Sequence, residues 1–86
     1  MEAPRVSSNL QPLSLGELKV GESARVLAVG GTRAVARRLL EMGLTDGTMV
    51  RILRLAPLGD PIELFLRGYH LTLRRDEART VKVARE

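Results

Sequence analysis

Residues 30–50 read GGTRAVARRLLEMGLTDGTMV, and they decide the fold because they contain one complete short helix with its start, its apolar face and its end. Four apolar residues recur at the three- and four-residue intervals that place side chains on one helical face, namely Val35, Ala36, Leu39 and Leu40. The charged residues fall largely on the other faces. We therefore expect the apolar stripe to pack inward and the charged surface to face the solvent.

The sequence also marks both ends of this helix. Thr32 is the expected N-cap, because its hydroxyl can accept a hydrogen bond from an unpaired N–H group in the first turn. Gly43 can adopt the left-handed conformation that ends a helix, and Leu44 just beyond it can fold back onto Leu39. Residues 41–44 should therefore form a fixed corner.

On either side of the helix, short segments carry the alternation of apolar and polar residues that is typical of β-strands. The expected strands are 22–29, 49–55, 62–67, 69–73 and 80–84. In the first strand Ala24, Val26 and Ala28 should share one face. In the second strand, simple alternation places Arg51 and Arg54 on opposite sides.

Several shorter features complete this pattern. The segment 69–73 should point Tyr69, Leu71 and Leu73 inward. Ser14 and Glu17 have the spacing of a capping box, which predicts a single helical turn there. A second helical turn is expected at 74–78. Residues 56–61 contain two prolines and should form a stiff projecting loop.

The fold class follows from this count of elements. About five short strands, with a core too small for two packed sheets, indicate a mainly β fold: a small, partly open, SH3-like barrel of about five strands, with one short α-helix inserted between the first and second strands. Residues 1–12 contain two prolines and no periodicity, so we expect a flexible N-terminal arm followed by a single domain at 13–86. No apolar run reaches the roughly 20 residues of a membrane span, and the expected compartment is the cytoplasm.

Few residues could support catalysis or metal binding. His70 is the one histidine of the sequence, it is expected on the outward side of a strand, and there is no cysteine to join it in a metal site. The diglycine Gly30–Gly31 precedes a helix but lacks the lysine and hydroxyl order of a nucleotide P-loop. We therefore predict no catalytic residue, no metal and no cofactor, in a protein that is not an enzyme.

The net positive charge is compatible with an acidic partner. Fourteen basic residues against ten acidic ones give a formal net charge of +4. The basic residues are scattered, and Phe65 and Tyr69 are the only aromatic residues that could stack on bases, so nucleic-acid binding is the less favoured interpretation. Leu58 in the loop and Phe65 on an outward face are candidates for exposed contacts with a protein.

Three separated blocks of the sequence agree with one known family. They are RLLEMGLTDGT at 38–48, APLGDPI at 56–62, and GY at 68–69 followed by LRRDEA at 73–78. In this order and spacing they resemble the FeoA family of small bacterial proteins, over about residues 13–83. The resemblance implies an SH3-like barrel in the cytoplasm that serves ferrous iron uptake as an accessory to the FeoB permease.

FeoB is a membrane protein with a cytoplasmic GTP-binding domain, and the resemblance implies that the chain docks there and neither catalyses a reaction nor carries iron. No nucleic-acid partner is expected, the chain itself is not expected to insert into the membrane, and weak self-association stays open. Two alternatives remain beside this interpretation: a nucleic-acid-binding small barrel and an iron-responsive regulatory domain.

Carried over residue by residue, the resemblance places the partner surface on the exposed part of the helix and on the loop: Arg37, Arg38, Glu41, Met42, Leu58, Gly59 and Asp60. Gly43 and Gly47 are expected to be structural, since the backbone angles they permit cost other residues about 1 kcal/mol or more. Because Arg38 is expected on the exposed face of the helix, Arg38→Glu should leave the melting temperature nearly unchanged and weaken the binding of an acidic partner.

Overall fold

The computed structural model describes residues 13–85, so the arm predicted at residues 1–12 lies outside the described residues. The described chain forms six strands: β1 (Leu13–Ser14), β2 (Ser23–Val29), β3 (Met49–Leu55), β4 (Ile62–Leu66), β5 (Tyr69–Leu73) and β6 (Val81–Arg85). Two α-helices accompany them, α1 (Arg33–Glu41) and α2 (Arg75–Arg79), together with 3-10 turns at Leu15–Glu17 and Pro57–Gly59.

The strands of the described chain form one antiparallel sheet in the order β1-β6-β2-β3-β4-β5. The predicted mainly β architecture is confirmed, with α1 inserted between the first two of the five predicted strands. The two-residue strand β1 was not predicted, because so short a segment shows no alternation. The predicted capping box is present, and the backbone N–H of Ser14 donates to the Glu17 carboxylate over 3.0 Å.

Helix α1 begins and ends where the sequence predicted. The Thr32 hydroxyl accepts a hydrogen bond from the Val35 N–H over 3.2 Å. At the other end Gly43 has a φ of 107°, and its N–H donates to the Leu40 carbonyl over 3.0 Å. The Leu44 N–H donates to the Leu39 carbonyl over 3.1 Å. These two bonds form a Schellman motif, which fixes the direction in which the chain leaves the helix.

The buried side chains of the described residues form one hydrophobic core. Its fully buried residues come from every strand except β1 and from both helices, and the largest are Leu15, Leu39, Leu44, Ile52, Ile62, Leu64, Leu66, Leu73, Val26, Val50, Val81 and Val83. Leu39 and Leu44 are both completely buried, so the corner after α1 is held by core packing as well as by hydrogen bonds.

The predicted inward stripe of α1 is wrong in one position. Val35 and Ala36 are half-buried and Leu39 is fully buried, but Leu40 is 44% exposed. Successive helical residues are rotated by about 100°, so a helix that packs on the sheet around Leu39 turns Leu40 toward the side. Only a narrow stripe of α1 therefore contacts the core.

A β-bulge breaks the predicted alternation in β2. The register between β2 and β6 shifts between Val26 and Ala28. Ala24 and Val26 are buried as predicted, but Ala28 is exposed, because the extra residue at the bulge moves it off the inner face.

A second bulge in β3 corrects the prediction for its two arginines. Arg51 lies opposite Phe65 and Arg54 lies opposite Glu63, with the register shift between Ile52 and Arg54. Phe65 and Glu63 are two residues apart on β4 and share a face, so Arg51 and Arg54 also share that face. The expectation that they point to opposite sides was wrong.

The inward pattern predicted for β5 holds at one end of the strand only. Leu73 is buried and Leu71 is half-buried, whereas Tyr69 is 41% exposed. Tyr69 follows the tight turn formed by Arg67 and Gly68, which have φ of 48° and 87°. The tyrosine hydroxyl leaves the core and donates a hydrogen bond to the Met42 carbonyl.

Glu22 ties the start of β2 to the end of β6. Its carboxylate accepts a hydrogen bond from the Lys19 N–H over 2.7 Å and another from the Arg85 guanidinium over 2.9 Å, and both lower the pKa of Glu22. Because the folded-state pKa lies below the unfolded one, the stabilisation is present above the unfolded-state pKa and is lost as the pH falls through the folded-state pKa.

The neighbouring leucines of α1 test the position of the core. Leu39→Ala should lower the free energy of unfolding by roughly 2–5 kcal/mol, because it leaves a cavity among buried side chains. Leu40→Ala is the matched control and should cost less than about 1 kcal/mol, since that side chain is largely solvated. Urea denaturation measures both values, and equal losses would show that Leu40 belongs to the core.

Candidate partner-binding surface

The predicted helix residues lie on the solvent side of α1. Arg37, Arg38 and Glu41 are exposed, and together with Arg33 and Ala34 they line a shallow depression of about 560 Å³. This surface is mainly basic, because three of its five residues are arginines. The positive charge of these arginines can attract a partner that carries carboxylates.

Met42 has a different environment from the other predicted contact residues. It is half-buried and packs against the hydrophobic core, and its backbone carbonyl accepts the Tyr69 hydroxyl. Met42 therefore fixes the end of α1, and its side chain offers little area to a partner.

The predicted loop residues follow the C-terminal end of β3, whereas α1 precedes its N-terminal end. Leu58 is 95% exposed and has a φ of 67°, a conformation that non-glycine residues rarely adopt. The Asp60 carboxylate accepts a hydrogen bond from the Arg75 N–H over 3.1 Å, and the Arg75 guanidinium donates to the Leu58 carbonyl over 3.4 Å. A Cβ atom at Gly59 would lie 2.9 Å from the Arg75 guanidinium, so Arg75 passes closely beneath the loop.

Helix α2 connects this loop to α1. One oxygen of Glu77 accepts the Arg74 N–H over 3.0 Å and so caps α2, while the other oxygen pairs with the Arg38 guanidinium. Arg75 at the start of the same helix holds the loop through Asp60 and the Leu58 carbonyl. The two halves of the predicted surface are thus joined through a five-residue helix.

The sequence pattern predicts the helical turn at 74–78 but does not indicate the contacts of Arg75 and Glu77. Glu77 accepts a hydrogen bond from the Arg74 N–H, but Arg74 lacks the side-chain oxygen that completes the sequence signature of a capping box. Glu77 and Arg38 are 39 positions apart, so no local sequence pattern predicts that they pair.

We define a candidate docking surface, called the docking surface below, as the exposed face of α1 (Arg33, Arg37, Arg38 and Glu41), the loop Leu58–Asp60, and Arg75 and Glu77 of α2. No group of three or more His, Cys, Asp or Glu side chains within residues 13–85 is arranged to hold a metal ion. None of the helices in the described part is long and apolar enough to cross a membrane. The charges, the exposed leucine and the ion pair are the chemical features of this surface.

The blocks that build this surface are also those of a known family. The family model of the FeoA domain matches residues 13–85, which is the entire described chain. The chain belongs to the FeoA family. The resemblance noted from the sequence is confirmed.

Among solved structures, the FeoA protein of Chlorobium tepidum shares 46% identity and superposes with a TM-score of 0.79, covering 85% of this chain and 70% of the other. A zinc complex of FeoA from Stenotrophomonas maltophilia shares 35% identity with a TM-score of 0.73, covering 83% and 88%. That protein is described as a prokaryotic SH3 domain protein, so the predicted SH3-like fold class is confirmed.

A third relative comes from Porphyromonas gingivalis and is described as a fusion of Fe(2+) transport protein A with the Fe(2+) transporter FeoB. It is 34% identical over 71 residues, which are 83% of this chain. The chain spans only 8% of that relative's length. In that protein a FeoA domain and FeoB are therefore parts of one polypeptide.

In this FeoA domain, the turn after α1 is fixed by side chains as well as by glycines. The Arg67 guanidinium donates to the hydroxyls of Thr45 and Thr48 over 2.9 and 2.8 Å. Gly47 lies between these threonines with a φ of 90° and open space around it. Gly43 differs, because a Cβ atom there would collide with the Tyr69 hydroxyl.

Substitution by alanine should lower the free energy of unfolding by different amounts at Gly43 and Gly47. Both residues have a positive φ, so each alanine should add strain of about 1 kcal/mol. Gly43→Ala should lower the free energy of unfolding further, because its methyl group displaces Tyr69 from the Met42 carbonyl. Urea denaturation of the two variants measures the difference.

A double-mutant cycle isolates the cause of the larger loss. Tyr69→Phe removes the hydroxyl that crowds Gly43, so it should recover part of the loss in the Gly43→Ala background and none in the Gly47→Ala background. Equal losses at the two glycines, or equal recovery in both backgrounds, would contradict the crowding at Gly43.

Proposed function

We propose that this protein is a non-enzymatic accessory of bacterial ferrous iron uptake, and that it binds the cytoplasmic GTP-binding part of FeoB through its docking surface. The observation that carries the proposal is the Porphyromonas gingivalis fusion, in which a FeoA domain is covalently joined to FeoB. Joining two domains in one chain raises their effective concentration, which favours an interaction between them. A separate FeoA protein would meet FeoB in the cytoplasm.

The composition of the docking surface supports a protein partner. Protein interfaces combine a few apolar anchors with a polar, charged rim, and arginine is enriched among the residues that contribute most to binding. Here Leu58 offers a fully exposed apolar side chain, while Arg33 and Arg37 offer cationic groups. The partner surface should accordingly carry carboxylates around an apolar recess.

The connection through α2 supports a single surface made of both halves. Arg38 is held by Glu77, and Leu58 is held through its carbonyl by Arg75. Side chains and loops that are held in place before binding lose less conformational entropy when a partner docks. We therefore propose that α1 and the loop act together on FeoB.

The ion pair with Glu77 changes the choice of test residue. The sequence analysis placed Arg38 on the exposed face and therefore predicted an almost unchanged melting temperature for Arg38→Glu, but this substitution would place a carboxylate beside that of Glu77. The Glu77 side chain is only 15% exposed, so the repulsion would be poorly screened. Arg37 is the better position for a charge-reversal variant, because it is exposed and lines the same depression.

Charge reversal at two exposed arginines tests the proposal. Arg37→Glu should weaken binding to the GTP-binding domain of FeoB by about tenfold, because an attraction becomes a repulsion at the interface. Arg51→Glu makes the same change of charge on the face of β3 and should leave the affinity within about twofold. Isothermal titration calorimetry measures both affinities, and thermal melting checks that both variants are folded.

Loss of the apolar anchor provides an independent variant. Leu58→Ser should weaken binding without lowering the melting temperature, since its side chain is 95% exposed among the described residues. The proposal fails if the folded wild type binds neither the GTP-binding domain nor full-length FeoB. It also fails in its choice of surface if Arg51→Glu weakens binding as much as Arg37→Glu.

A further inference from the structure

Among residues 13–85, strand β5 is the last strand of the sheet and has a neighbouring strand on one side only. It pairs with β4 along its whole length, from Leu66 opposite Tyr69 to Ile62 opposite Leu73. The strand order of the described chain ends there. The opposite edge of the sheet is β1, which is only two residues long. The five-residue edge of β5 is therefore the long exposed edge of the described sheet.

The register shows which backbone groups of β5 are unpaired. The two-residue turn at Arg67–Gly68 makes Leu66 and Tyr69 a hydrogen-bonded pair. Hydrogen-bonded and non-hydrogen-bonded pairs alternate along an antiparallel ladder, so His70 and Thr72 turn their N–H and C=O groups away from β4. Within residues 13–85, no turn, loop or side chain forms a hydrogen bond with these outward groups.

The side chains of β5 leave this edge accessible. The ring of His70 lies edge-on against Phe65 of β4, with 5.6 Å between ring centroids, and its Nδ1 lies 3.4 Å from the Glu63 carboxylate. The imidazole is thus turned back over the sheet. Thr72 is exposed and short.

The strand also lacks the devices that usually protect an edge. Natural edge strands carry lysine or another charge, a proline or a bulge, or are very short, and these features prevent pairing with another chain. Residues 69–73 read YHLTL, without lysine, arginine, carboxylate, proline or glycine. The register of β5 with β4 has no bulge. An unprotected edge of this length is suited to accept a further strand.

We propose that the β5 edge pairs with the β5 edge of a second copy of this chain, antiparallel and with the two-fold axis at Leu71. This register places His70 opposite Thr72 of the second copy, and Thr72 opposite its His70. The outward N–H and C=O groups of these residues then form four hydrogen bonds around a central pair of leucines.

The strand is self-complementary, which favours a second copy over an unrelated strand. The residues that carry outward backbone groups, His70 and Thr72, are placed symmetrically around Leu71. No like charges face each other across the axis, because histidine meets threonine. Leu71 is half-buried in the single chain and would lose further exposed area against its own copy. A closed two-fold contact uses the edge of both copies and leaves neither free to extend the sheet.

The association should be weak and concentration-dependent. A five-residue strand pair buries less area than the roughly 1,200 Å² at the lower limit of stable interfaces. The proposed pairing lies outside the docking surface defined above, so it does not rest on the proposed FeoB interaction.

Amide hydrogen exchange distinguishes paired from unpaired edges within the same strand. The N–H groups of Tyr69, Leu71 and Leu73 bond to β4 and should be protected at every protein concentration. Those of His70 and Thr72 should exchange rapidly in dilute solution and become protected as concentration rises, in parallel with dimer formation in sedimentation equilibrium. A monomer at millimolar concentration with His70 and Thr72 still unprotected would overturn the proposal. Protection that appears only on addition of the FeoB GTP-binding domain would also overturn it, since the edge would then serve another partner.

Disulfide trapping tests the register, because the chain contains no cysteine and a single introduced thiol is unique. Leu71→Cys should form an intermolecular disulfide, since Cα atoms of a non-hydrogen-bonded antiparallel pair lie about 4.5 Å apart. Thr72→Cys is the matched control, and its thiol would lie opposite His70 of the second copy. It should cross-link at least about tenfold more slowly, because the two introduced cysteines are then out of register. Circular dichroism checks that both variants are folded. Equal rates for the two variants would refute the two-fold axis at Leu71.

Discussion

The left-handed backbone of Gly43 is the constraint on which the rest of this structure depends. It ends α1 and allows the N–H groups of Gly43 and Leu44 to satisfy the last carbonyls of the helix. Leu44 can then enter the core beside Leu39, where both are completely buried. The Tyr69 hydroxyl donates to the Met42 carbonyl, so the end of the helix is also attached to β5. Because these contacts fix the axis and rotation of α1, they also determine which residues face the solvent.

Glu77 links the orientation of α1 to the position of the exposed loop. This carboxylate caps α2 and pairs with Arg38, so it links a helix that packs on the core to the segment that holds the exposed loop. Arg75 completes the connection through Asp60 and Leu58. A charged helix face and an apolar loop, each unremarkable alone, are thereby held as one surface. This arrangement agrees with a domain that works by binding a protein, which is the role we propose for it beside FeoB.

Local patterns predicted those parts of the fold that local physics determines. Capping, alternation and turn chemistry predict the start and end of α1, the strands β3, β4 and β5, and the exposure of Leu58. Alternation failed at Ala28 and Arg54, because each follows a bulge whose position depends on the partner strand. The burial of Leu40 was overestimated, because helical spacing gives a stripe but not the line along which the helix contacts the sheet. The pairing of Glu77 with Arg38 could not be predicted, because it depends on how two distant helices meet.

The most direct test of this account is a chemical-shift map of the isotope-labelled protein on titration with the unlabelled GTP-binding domain of FeoB. The account predicts that the shifted amides cluster on the exposed face of α1, on the loop at 58–60 and at the start of α2, while those of β3 and the β5 edge stay unchanged. Shifts confined to the face of Arg51 and Phe65, or to His70 and Thr72, would contradict it.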